Sequence, residues 1–170
     1  MAKLIMMCGV PGSGKSYFSA TLTKKAKKHV YLVSSDRLRR MVFGSPQNFT
    51  GERLIWSMFY DLVKVYAKDP DGIVILDATQ LTTYYRTVST KDLKDLFDER
   101  ILIVFKIDKE VVYHQNLHRK YPVPIDALER LVAEFEEPNE QDREYFTDIY
   151  EIRDKNIMPV VKILLKKNKS

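Results

Sequence analysis

Residues Gly9-Val-Pro-Gly-Ser-Gly-Lys-Ser16 match the spacing G-x-x-x-x-G-K-[S/T] at every fixed position: Gly9, Gly14, Lys15 and Ser16. The context is the one this pattern requires. An apolar run, Leu4 to Cys8, reads as a buried strand ahead of it, and Tyr17 to about Lys28 reads as a helix behind it. Glycines there let the backbone wrap closely round phosphate oxygens, which a Cβ would obstruct. Backbone amides and the helix N-terminus supply fixed positive charge to the anion. Gly12, Ser13, Gly14, Lys15, Ser16 and Tyr17 are therefore the expected contacts of a nucleoside triphosphate. Lys15 would reach the β- and γ-phosphates, and the Ser16 hydroxyl would bind Mg²⁺. A glycine-rich turn without a ligand is the competing reading, and it leaves the flanking strand and helix without a purpose. The G-x-G-x-x-G spacing of a dinucleotide site does not fit.

At 170 residues the chain suits one domain, long enough to bury about 70% of its unfolded surface. Its apolar runs are about five residues, far short of a membrane span. The start, Met1-Ala-Lys3, leads straight into the first strand and leaves no room for a signal peptide. One cysteine excludes an internal disulfide, so Cys8 is expected as a small core residue in a reduced, cytoplasmic setting. A formal charge of +5 makes polyanionic partners compatible without establishing any.

Along the chain, strands are expected at His29–Val33, Ile73–Leu76, Ile101–Ile107 and, at the end, Val160–Leu165. Helices are expected from Asp36 to Phe43, Glu52 to Lys68, Asp108 to His118 and Ile125 to Glu137, with one more in the polar stretch before Arg100. Gln141 to Phe146 is ambiguous. Ile-, Val- and Leu-rich runs alternating with amphipathic helices predict a three-layer α/β fold: a mostly parallel sheet covered by helices on both faces. Ligands of such sheets bind beyond the carboxyl ends of the strands. The glycine-rich loop, Asp36 and Asp77 each follow such an end.

Asp77 reads as the acid that holds Mg²⁺ directly or through water, or else as a turn or capping aspartate. Asp36 reads either as the base that takes a proton from an attacking hydroxyl or as a plain helix N-cap. Arg39, three residues on, shares its helical face and could hold the acceptor in a bidentate contact. Arg119 sits in a broken-helix stretch that could close as a lid over the nucleotide, or be a solvated surface arginine. Thr79 and Gln80 are weaker candidates for orienting the acceptor. His29, His114 and His118 read as surface or packing residues, and the lysines of residues 24–28 and 162–169 as solubilising. Tyr84 and Tyr85 could stack on bases, although core packing is the expectation. No Asn-Lys-x-Asp guanine signature is present.

With these residues located, the chain resembles the 5′-hydroxyl polynucleotide kinase family, the kinase module of nucleic-acid end-healing enzymes, from about Lys3 to Pro138. The resemblance is carried by Gly9–Ser16, Asp36-x-x-Arg39, Asp77-Ala-Thr, Arg86, Arg119, Val123 to Leu128, and Phe135-Glu-Glu-Pro138. It implies a three-layer α/β P-loop kinase fold with a small helical lid, ATP as donor, Mg²⁺, and transfer of the γ-phosphate to a 5′-OH end of DNA or RNA. It further implies Asp36 as general base, Arg39 as clamp on an acceptor phosphate, and Arg119 as the arginine of a lid over about residues 113–124. Tyr17 and Gln80 depart from the family pattern, and no phosphatase or ligase module is attached. Relatives of this module also include zeta-toxin-type kinases and kinases of small molecules and of modified bases. A nucleotide-binding regulator without acceptor chemistry is the rival from another class.

Overall fold

β1 (Lys3–Cys8) is the central strand, and its side chains alternate between the two faces of the sheet. Leu4, Met6 and Cys8 enter one apolar cluster, while Ile5 and Met7 enter the other. A strand buried on both faces has no need of polar alternation, which is why this run reads as continuously apolar. The chain continues through α1 (Lys15–Lys25), β2 (Val30–Ser34), α2 (Ser35–Phe43), α3 (Glu52–Tyr66) and β3 (Ile73–Asp77). After a turn-rich segment come β4 (Glu99–Phe105), α4 (Lys109–Leu117), α5 (Ile125–Glu134), α6 (Glu140–Tyr145), β5 (Asp148–Ile152) and α7 (Met158–Leu165). The structure, a computed structural model, describes residues 1–166, so Lys167 and Lys169 lie outside the described residues.

Among the described residues all five strands are parallel, in the order β2-β3-β1-β4-β5. Ile55, Phe59 and Val63 of α3 cover the face of Leu4 and Met6. Phe18 and Leu22 of α1, with Val161 and Leu164 of α7, cover the face of Ile5 and Met7. This is the expected three-layer α/β architecture. The register sets Met7 and Ser34 beside Asp77, so the carboxyl ends of β1, β2 and β3 finish level. Among the described residues no helix is long and apolar enough to cross a membrane.

Three expectations are corrected. Val160–Leu165 is the helix α7 and not a last strand, because Ile157, Val161 and Leu164 recur at helical spacing toward the core. The fifth strand is instead Asp148-Ile-Tyr-Glu-Ile152, a charged edge strand paired only with β4, whose exposed side hides it from an apolar scan. The stretch before Arg100 is no single helix. It is a π-helical turn at Tyr84–Val88 and a 3₁₀ segment at Lys91–Leu96. Hydroxyls of Thr87, Ser89 and Thr90 donate back to the carbonyls of Thr83, Tyr85 and Arg86, a competition that bends helices.

Arg86 anchors that turn from inside. Its guanidinium and the Asp142 carboxylate are both 0% exposed and meet at 2.7 and 3.0 Å. Arg86 also donates to the carbonyls of Leu81 at 2.8 Å and Gln80 at 3.3 Å, and contacts the Cys8 sulfur at 3.7 Å. Burial pushes the Cys8 thiol up to about 11, in keeping with a core residue rather than a reactive one. Burial alone would raise the Asp142 carboxyl. The hydrogen bonds from Arg86 and from the Asn139 amide outweigh that and hold it below its ordinary value.

Removing one partner leaves the other charged and buried. Asp142→Ala or Arg86→Ala is expected to cost about 3–5 kcal/mol in urea unfolding, while an Arg86→Met/Asp142→Leu double variant recovers only part of the loss, because the Gln80 and Leu81 carbonyls and the Asn139 amide lose their partners. Because the folded carboxyl lies below its unfolded value near ~3.9, the pair's contribution is complete above that pH and disappears as acid carries the pH through the folded value. Acid titration of wild type against the double variant measures it.

Candidate functional site

The loop between β1 and α1 turns on two glycines in left-handed conformation, Gly12 at φ 86° and Gly14 at φ 95°. A Cβ on Gly12 would lie 2.8 Å from the Val112 carbonyl oxygen, so the loop packs directly on the backbone of α4. One on Gly9 would meet the Ser13 hydroxyl at 2.6 Å. The α1 ladder starts with the Phe18 amide bonding the Gly14 carbonyl at 3.1 Å, so the amides of Lys15, Ser16 and Tyr17 point out of the helix end. No side chain caps that end and no acid lies in its first turn. Among the described residues the buried Ser13 Oγ has no hydrogen-bond partner. Unpaired amides, an orphaned hydroxyl and a cradle that side chains would fill fit a phosphate chain.

Lys15 bends back over its own loop and donates to the carbonyls of Gly9 at 2.7 Å and Val10 at 3.1 Å. Burial pushes its ammonium below the ordinary value, Asp77 opposes that most strongly, and Arg119 and Asp36 also act on it. Lys15, Asp77, Arg119 and Asp36 are therefore one electrostatic cluster. Asp77 ends β3 within hydrogen-bonding reach of Ser34, and burial raises its carboxyl against the pull of Lys15. The exposed Ser16 hydroxyl and Asp77 are two oxygen donors of the kind Mg²⁺ uses alongside substrate phosphates and water. Among the described residues no cluster of three or more His, Cys, Asp or Glu forms a self-contained metal site. Tyr17 is 61% exposed.

On the other side of the loop, Ser34 caps α2, its Oγ accepting from the Arg37 amide at 3.3 Å. Asp36 is thus not the cap, and its carboxylate is free to take another role. One oxygen accepts from Arg39 at 3.0 Å and the other lies 3.7 Å from the Arg119 guanidinium. Arg119 is half-buried against this acid and not a solvated surface arginine.

Arg39 is placed differently from the open clamp that the resemblance implies. It is 6% exposed and its fork is filled by Glu52, at 2.7 and 2.9 Å, while Phe49 stacks on it at 4.7 Å. Glu52 went unnoticed in the sequence because its one local signal, a position in the first turn of α3, is shared by any helix-starting acid. Gln80 is another residue underweighted from sequence. It holds φ 50°, the one positive value outside glycine among the described residues, and its buried amide nitrogen has no partner. Strain of this kind concentrates beside functional sites. In the last turn of α4, Asn116 grips Val123 through both its amide atoms, and Gln47 donates to the Tyr121 and Pro122 carbonyls. The 118–124 segment therefore rests on the loop between α2 and α3.

Known proteins share this fold. Kti12 from Chaetomium thermophilum in complex with ADP-AlF3 superposes with a TM-score of 0.73 at 20% identity, over 95% of each chain. A gluconokinase from Sinorhizobium meliloti superposes at 0.60 and 15% identity, over 96% of this chain and 89% of that one. Shikimate kinase from Aquifex aeolicus superposes at 0.57 and 17% identity, over 95% and 93%. At such identities the likeness establishes a P-loop kinase-like fold. The sequence model of the AAA domain family matches residues 4–138, which takes in the loop, both acids and Arg119. The chain belongs to the AAA domain family.

Proposed function

We propose that this chain is an ATP- and Mg²⁺-dependent kinase that transfers the γ-phosphate to a hydroxyl, specifically the 5′-OH of a nucleic acid. One observation carries the reading: the Asp36 carboxylate, released from capping, is coupled to Lys15 and Arg119 at the mouth of the phosphate cradle. An acid in that position has a task in phosphoryl transfer and none in nucleotide binding, where it would repel the anion. Lys15 leaves its own carbonyls for the β- and γ-phosphates. Arg119, on a lid over about residues 113–124, exchanges Asp36 for the transferring group and frees one carboxylate oxygen. Asp36 then takes the proton as the acceptor oxygen bonds phosphorus in line and the bridging oxygen leaves with ADP. Mg²⁺ held by Ser16 and Asp77 would neutralise charge on the phosphates. Arg39, braced by Glu52, orients Asp36.

A second reading, a small neutral hydroxyl acceptor, draws support from the occupied Arg39 fork, which offers an acceptor phosphate little. Ionic strength separates the two. A polynucleotide acceptor loses affinity steeply with added salt, because each phosphate contact releases counterions, whereas a neutral acceptor does not.

Asp36→Asn is expected to leave ATP affinity unreduced and to lower turnover about 10²-fold or more, read from single-turnover kinetics. Unchanged turnover would reject the base assignment. Lys15→Ala is expected to abolish transfer, since it deletes the charge on the departing phosphates. An active Lys15→Ala variant would contradict the cradle's role.

A further inference from the structure

Tyr84 and Tyr85, expected in the core, are 59% and 54% exposed. The buried partners of their turn are Arg86 and Thr87, so locking Arg86 inside turns the two tyrosines outward. Their rings stand edge to face, centroids 5.5 Å apart. The turn is tied to α3: the Tyr60 hydroxyl donates to Ser89 Oγ at 3.3 Å, and that oxygen donates to the Tyr85 carbonyl at 2.7 Å. Tyr60 and Trp56 are half-buried neighbours on one α3 stripe, their rings 6.1 Å apart. Trp56 Nε1 donates to Glu52 at 3.2 Å, and Glu52 holds the Arg39 that holds Asp36. A chain of contacts thus runs from the acid of the candidate transfer site to an exposed aromatic pair. The α3 part alone, residues 52 to 60, spans about 12 Å.

We infer that this track, Trp56 and Tyr60 leading to Tyr84 and Tyr85, is a stacking platform for the bases of a single-stranded acceptor behind its 5′-OH. The inference rests on the kinase reading and names the strand's form. Three observations favour nucleic acid over another occupant. The first aromatic, Trp56, is tied to the candidate transfer acid through Glu52 and Arg39. The aromatics are interleaved with hydrogen-bonding groups, as amphipathic stacking surfaces are and dimer cores are not. Arg53, three residues before Trp56 on α3, and Lys91, just past the tyrosine turn, are exposed cations within a chain of net charge +5. A π-helical turn held by a wholly buried ion pair gives the platform rigidity, and such turns recur at functional sites.

The test uses the full chain, a 3′-labelled 5′-OH oligothymidylate of roughly eight nucleotides, and a nucleoside 3′-phosphate too short to reach the tyrosines. Tyr84→Ala/Tyr85→Ala is expected to raise the oligonucleotide KM roughly ten-fold or more with kcat held, and to leave the KM of the mononucleotide and of ATP unchanged. Tyr84→Phe/Tyr85→Phe is expected to restore the wild-type value. An oligonucleotide KM indifferent to the alanines, an equal rise for the mononucleotide, or a change in oligomeric state on gel filtration overturns the platform. Fluorescence anisotropy without ATP separates the two readings. Oligonucleotide binding that is lost with the tyrosines but never leads to phosphorylation sustains the platform and rejects the kinase; no binding by the wild type rejects the platform.

Discussion

A guanidinium and a carboxylate, both sealed from water, organise the half of the molecule that follows β3. Neither could be buried alone, because an isolated charge in so poor a dielectric is far too costly. Together they determine where the chain goes. Arg86 collects the carbonyls of Gln80 and Leu81, which a turning backbone would otherwise leave unpaired. Asp142 accepts from the Asn139 amide and completes the capping box that starts α6. Thr83 and Asn139 close the network. One ion pair thereby fastens the segment after Asp77 to α6 and to the end of β1.

The candidate site inherits its order from that fastening. Asp77 stands at the end of β3, Gly9 donates its amide to the Thr79 carbonyl at 2.9 Å, and the phosphate loop is held against the segment beyond the acid. On the other flank Asp36 is braced by Arg39, Arg39 by Glu52, and Glu52 by Trp56. Cations and acids therefore alternate around the loop, and a triphosphate would enter by exchanging partners already present. Lys15 would give up two carbonyls and Arg119 one carboxylate oxygen. Such exchange keeps the charged side chains of the site paired in its absence, while the Ser13 hydroxyl and the loop amides keep their bonding capacity for the phosphates.

Much of this was legible in the order of residues. Eight residues of loop, an apolar strand before them and a helix after them specify a phosphate cradle with little freedom. The ends of β2 and β3 place Asp36 and Asp77 beside it once the sheet is taken as parallel. Residue order says less where pairing is distant. Glu52 and Asp142 are ordinary acids until the fold brings Arg39 and Arg86 to them, 13 and 56 positions away. β5 hides because an edge strand keeps charged residues on its open side, and α7 misleads because a run of about six residues broken only by Lys162 is too short to separate a helical period from a strand. Tyr84 and Tyr85 look like core residues until the buried arginine beside them turns them out.

The central claim is that the acid beside the phosphate cradle faces a hydroxyl that becomes phosphorylated. The most direct measurement follows the label from γ-labelled ATP, offered together with a 5′-OH oligonucleotide and its 5′-phosphorylated twin. Label on the 5′-OH strand alone, dependent on Asp36, is the predicted result. Label released only as inorganic phosphate, at a rate indifferent to either strand or to any small hydroxyl compound, would contradict it.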